Sequence, residues 1–177
     1  MDPATLARVL LLTGNPGVGK TTVIRAVPAL LPGWHLAGFT TEEILEAGRR
    51  LGFRGTTLDG LETVIAHVSF TGPARVGKYG VDVRAIDNLA GVLDPQFVAD
   101  AYIVDEIGRM ECLSTALVAA VRGLLVAPVR LVATVAARGR GLIAEVKAHP
   151  GAVLWQVTRA NRSSLPAEVA AWLAATR

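Results

Sequence analysis

The stretch Gly14-Asn15-Pro16-Gly17-Val18-Gly19-Lys20-Thr21 constrains this chain more than any other. It spells G-x-x-x-x-G-K-[ST], the phosphate-binding P-loop. An apolar run, Val9 to Leu12, comes just before it, and a helix-compatible segment from Thr22 to Ala26 follows. Strand, loop and helix in that order are the setting the motif requires. Glycines keep side chains clear, so backbone N–H groups can close around clustered phosphates. The helix that follows begins with free N–H groups and a dipole that favours an anion. In this reading Lys20 reaches the β and γ phosphates. The Thr21 hydroxyl is offered to Mg²⁺, a cation held mostly through phosphate oxygens, water and one or two protein groups. Asn15, Pro16, Val18 and Thr22 complete the nucleotide-binding stretch.

The second informative segment is Ala101-Tyr102-Ile103-Val104 followed by Asp105-Glu106. A short apolar strand ending in carboxylates delivers them to the C-terminal edge of a parallel sheet, where open α/β sheets bind ligands. Asp105 is expected to hold the metal. Glu106 is expected to polarise a water for attack on the γ-phosphate. The acid pair tilts the reading toward hydrolysis, with a nucleotide or small-molecule kinase as the alternative. A nucleotide-dependent switch with incidental turnover is a further alternative.

Composition narrows the rest. At 177 residues the chain is expected to form one domain. It is rich in Ala, Val and Leu, which suits a parallel sheet covered by helices. A net charge of +3 without a basic stripe implies no nucleic acid. The single cysteine, Cys112, allows no internal disulfide and is read as a structural thiol in a reducing compartment. The longest apolar region, Leu113 to Ala137, is broken by Arg122, Pro128 and Arg130, so no membrane span is expected. The N-terminus lacks the basic start of a signal peptide, and the expected location is cytoplasmic. His35, His67 and His149 show no metal-ligand spacing.

The pattern along the chain predicts strands over 8–13, 36–42, 49–57, 62–67, 76–82, 100–105, 128–135 and 152–157. Helices are predicted over 20–31, 83–93, 113–126, 141–148 and 165–176. Pro28 should kink or end the first helix. A β-rich, hairpin-containing insertion over about 36–82 interrupts an alternation of strand and helix that argues a mainly parallel sheet.

Further blocks, taken with these, carry a resemblance. They are Gly38-Phe39-Thr40-Thr41-Glu42-Glu43, Gly48 to Phe53, Val76-Gly77-Lys78-Tyr79 with Asp82, Val104-Asp105-Glu106-Ile107-Gly108-Arg109-Met110-Glu111, and Val157 to Arg162. Nearly the whole chain resembles the small P-loop enzymes called cancer-related nucleoside-triphosphatases. The resemblance implies a three-layer, RecA-like or kinase-like α/β core with helices on both faces. It also implies Mg²⁺-dependent hydrolysis of several nucleoside triphosphates to the diphosphate and phosphate. By match it assigns nucleotide contact to Gly14–Thr21 and to Ile103, Val104, Asp105, Glu106, Ile107, Gly108, Arg109 and Met110. The family commonly has Lys where this chain has Arg109, which keeps the charge but adds a two-pronged donor.

Arg109 is a candidate arginine finger in cis. Arg138 and Arg140 sit where a lid could close. Asn161 and Arg162 follow the last strand, where a loop can pack on the base. Arg49 and Arg50 would mark an acceptor site in the kinase alternative, and Glu42 and Glu43 end a strand at the same edge.

Overall fold

The computed structural model describes residues 7–96 and 98–176. Strand β1 (Val9–Thr13) leads through the P-loop into α1 (Lys20–Ala26). As Pro28 requires, α1 stops there, and a single 3-10 turn covers Pro28–Leu30. The insertion forms β2 (Leu36–Glu46), β3 (Arg49–Thr57), β4 (Glu62–His67), β5 (Arg75–Val76) and β6 (Tyr79–Val81). The single strand predicted over 76–82 is thus a tight hairpin, with Gly77 in the left-handed region at its turn. The remainder alternates: α2 (Val83–Ala90), β7 (Ala101–Ile107), α3 (Thr115–Val126), β8 (Leu131–Val135), α4 (Leu142–Ala148), β9 (Ala152–Gln156) and α5 (Leu165–Ala175). Asp82 caps α2 by accepting from Ala85 N, and Ser114 caps α3 by accepting from Leu117 N.

Among the described residues all these strands join one sheet in the order β5-β6-β4-β3-β2-β7-β8-β1-β9. From β2 to β9 every pairing is parallel, and from β2 to β5 every pairing is antiparallel. The insertion is therefore not a separate body. It extends the parallel core as an antiparallel wing. Strand β2 joins the two halves: Leu36–Phe39 pair with β7, and Phe39–Glu46 pair with β3.

Side chains alternate across the central strands, as the pleat demands. Val9, Leu11, Tyr102, Val104, Leu131 and Ala133 pack on one face with residues of α2, α3 and α4. Leu10, Leu12, Ile103 and Val132 pack on the other with residues of α1 and α5. The result is the expected three-layer α/β core. Strand β8 lies between the P-loop strand β1 and the acid-bearing strand β7. That order decides which residues meet at the C-terminal edge.

Candidate nucleotide site

Lys20 begins α1, and Gly19 before it has φ 110°, a value side-chain-bearing residues rarely adopt. This conformation turns the loop into the helix. The tip of the loop, Asn15 to Gly17, is exposed, whereas Lys20 is only 8% exposed. The Lys20 Nζ donates to Gly14 O at 3.4 Å and lies 3.7 Å from Glu106 Oε2. The two segments singled out in the sequence therefore share an ion pair between residues 86 positions apart.

Asp105 is fully buried and holds three hydroxyls. Thr21 Oγ1 donates to Oδ1 at 3.2 Å, and Thr134 Oγ1 donates to the same oxygen at 2.5 Å. Thr41 donates to Oδ2 through both its N–H and its Oγ1, each at 3.2 Å. Burial pushes the Asp105 carboxyl above the ordinary range, and these hydrogen bonds pull it back. Strands β2 and β8 flank β7, so each presents its threonine to the acid from one side. Burial likewise raises Glu106, and the Lys20 charge opposes that rise. The β7–β8 register shifts between Val104 and Ile107, and this irregularity lies at the two acids.

Sequence reading missed Glu111. It lies in a 3-10 turn (Glu111–Leu113), is 7% exposed, and has its carboxyl pushed up to about 8. Burial is the main cause, with the negative charges of Glu106 and Asp105 adding to it. Thr41 and Thr134 were also missed. Thr134 carried a signal: it is the polar residue in the otherwise apolar β8 run Leu131–Val135.

The other sequence candidates are distributed around this centre. Ile103 and Val104 are core side chains on opposite faces of β7. Ile107 and Gly108 are buried, Met110 is half-buried and Arg109 is exposed. Asn161 is occupied with its own turn, accepting from Thr158 N and donating to Gln156 O. Arg162 lies on the P-loop: its Nη1 donates to Val18 O at 3.4 Å, and a Cβ added at Gly19 would meet its Cδ at 3.3 Å. Arg50 instead pairs with Glu43 at 2.5 Å and lies over Phe53. Glu42 pairs with Arg25 and Arg54. These contacts tie the wing strands to each other and to α1.

Among the described residues no cluster of three His, Cys, Asp or Glu side chains forms a protein cage for a metal. The oxygen set at Asp105 and Thr21 fits another kind of cation. It offers one buried carboxylate and one hydroxyl beside a phosphate-binding loop, as suits a hard divalent ion that keeps most ligands from phosphate and water.

Strand order, P-loop and paired acids together define a P-loop nucleotide-binding protein. Comparison with known proteins gives the family. The family model described as NTPase matches residues 9–170. Nucleoside-triphosphatase THEP1 of Thermotoga petrophila is 37% identical over 165 residues, covering 90% of this chain and 89% of that protein. The crystal structure of THEP1 from Aquifex aeolicus superposes with a TM-score of 0.84 at 34% identity, over 93% of this chain and 98% of that one. The solution structure of a human cancer-related nucleoside triphosphatase gives 0.82 at 32%, over 97% and 100%. The chain belongs to this nucleoside-triphosphatase family.

Proposed function

We propose that this protein hydrolyses nucleoside 5′-triphosphates, ATP and GTP and also CTP and UTP, to the diphosphate and phosphate in a Mg²⁺-dependent reaction. The observation that carries this reading is the convergence of Lys20, Thr21, Asp105 and Glu106 at one sheet edge. The P-loop surrounds the phosphates with backbone N–H groups. Lys20 shifts its charge from Glu106 toward the β and γ oxygens. Thr21 and Asp105 would hold Mg²⁺, which when bound would neutralise charge on the phosphates. Thr41 and Thr134 keep the Asp105 carboxylate in place.

Glu106, once its ammonium partner is drawn to phosphate, accepts a proton from water. That oxygen bonds to the γ-phosphorus as the bond to the β–γ bridging oxygen breaks, and the diphosphate leaves with that electron pair. Burial favours this role, because a raised carboxyl is a stronger base than one in bulk water. Arg109, three residues past Glu106 in the chain, is the candidate cis cation for the charge that develops on the γ-phosphate. Arg162 beside Gly19 is placed to lean on the bound nucleotide.

Broad base tolerance fits a site whose proposed contacts are mainly to phosphate. The test is phosphate release from each of ATP, GTP, CTP and UTP, with and without Mg²⁺ and with no acceptor added. Release from several nucleotides that stops on chelation supports the reading. Release that appears only with an added acceptor would transfer the protein to the kinases.

A further inference from the structure

A cavity of about 580 Å³ opens at the C-terminal edge of the sheet, between the β5–β6 hairpin, the 109–113 segment and the β8–α4 loop. That volume is in the range of small-molecule sites. Three arginines line it, Arg75, Arg109 and Arg140, and no acid does. The contrast with other arginines is informative. Arg25, Arg50, Arg54 and Arg122 all pair with carboxylates. Arg109 and Arg140 have no hydrogen-bond or ion-pair partner among the described residues, and both are exposed. Arg75 is anchored, donating to Phe70 O at 3.2 Å and to Lys78 O at 2.9 Å, yet no carboxylate neutralises it. Like charges facing one cavity repel one another, and an anion entering it removes that repulsion.

The remaining wall is apolar, formed by Val76, Leu113 and Ile143 with the Cys112 thiol. Burial pushes that thiol up to about 11, so it adds no charge at neutral pH. The cavity adjoins the acid cluster through the backbone: Arg109 lines it, while the preceding Gly108 lies against Glu106 and Glu111.

We infer that this arginine-lined cavity is a second ligand site, next to the P-loop site and sharing Arg109 with it, for a nucleoside monophosphate. Arginines match phosphate oxygens in a two-pronged way, and the apolar wall offers nonpolar contact to a base. The inference goes beyond the hydrolase reading and does not depend on turnover.

The test uses the full chain with the P-loop saturated by Mg²⁺ and a non-hydrolysable ATP analogue. AMP, GMP, CMP, UMP and inorganic phosphate are titrated in turn by calorimetry, and the first set is repeated without analogue. Saturable binding of at least one monophosphate is expected with the analogue present. Arg140→Glu should weaken it by about tenfold or more. Leu113→Trp, which fills the cavity, should do the same while leaving analogue affinity unchanged; its melting curve shows whether it folds. Absence of monophosphate binding in the unmodified chain overturns the inference. So does binding that both variants retain, or binding of inorganic phosphate that no monophosphate exceeds. Failure of the analogue to bind would instead count against the hydrolase reading.

Discussion

The carboxylates of Glu106 and Glu111 converge on Gly108. A Cβ added at that glycine would meet Glu111 Oε2 at 2.8 Å and Glu106 Oε1 at 2.9 Å. Glu106, the proposed water-activating acid, thus has a second, more deeply buried carboxyl close by. Burial raises both groups, and negative charge adds to it: that of Asp105 at Glu106, and those of Glu106 and Asp105 at Glu111. One of the pair held protonated relieves that repulsion, and Glu111, pushed up to about 8, is the one that takes the proton near neutrality.

Stability should therefore fall as pH rises from about 4.5 to about 8, the ordinary and folded values for Glu111. Across that window the folded chain keeps a proton that the unfolded chain has released, so the slope runs against folding by up to about 1.4 kcal/mol per pH unit. Denaturant unfolding at several pH values checks this. Glu111→Gln, which cannot ionise, should flatten the dependence. An equal slope in both proteins would place the proton elsewhere.

Gly108→Ala should be costly despite its small size. The added methyl would push the two carboxylates apart or shift the backbone, at about 1–3 kcal/mol in stability. Displacement of Glu106 should also lower kcat, while affinity for a non-hydrolysable nucleotide stays close to that of the unmodified protein. Thermal unfolding and turnover together read both effects. Unchanged turnover would show that Glu106 does not need its present position.

Thr134→Val removes the hydroxyl that donates to Asp105 Oδ1 at 2.5 Å while keeping nearly the same shape. A lost hydrogen bond to a buried charged group costs about 1.5–3 kcal/mol. The Mg²⁺ concentration needed for half-maximal turnover should rise, because the carboxylate proposed to hold the metal loses a support. Thr134→Ser should restore it. Equal Mg²⁺ dependence in all three proteins would limit Thr134 to packing.

Much of this was legible in the residues. The P-loop and the Asp105-Glu106 pair were readable because each is a local pattern in a local setting, a strand before a turn. Pro28 likewise marked where α1 stops. The order of strands was not readable, because β8 reaches its place between β1 and β7 through pairing that no local periodicity encodes. Hence Thr134 and Thr41 could be seen as polar residues in strands but not as partners of Asp105. Glu111 was hidden for a different reason: an acid beside a helix start reads as a surface or capping group, and only the fold shows it buried. The insertion was recognised as hairpin-rich, but its merger into the same sheet depends on the four residues Leu36–Phe39 pairing with β7.

The central claim is that Glu106 handles the attacking water while Lys20, Thr21 and Asp105 hold the nucleotide and its metal. The most direct measurement compares the unmodified chain with Glu106→Gln, reading both nucleotide affinity and phosphate release with Mg²⁺ and no acceptor. We expect affinity within a few-fold of the original and turnover reduced by about 10²–10⁴-fold, the usual worth of a positioned general base. Turnover that survives the change at full affinity would contradict the assignment and move the water-activating role to another group.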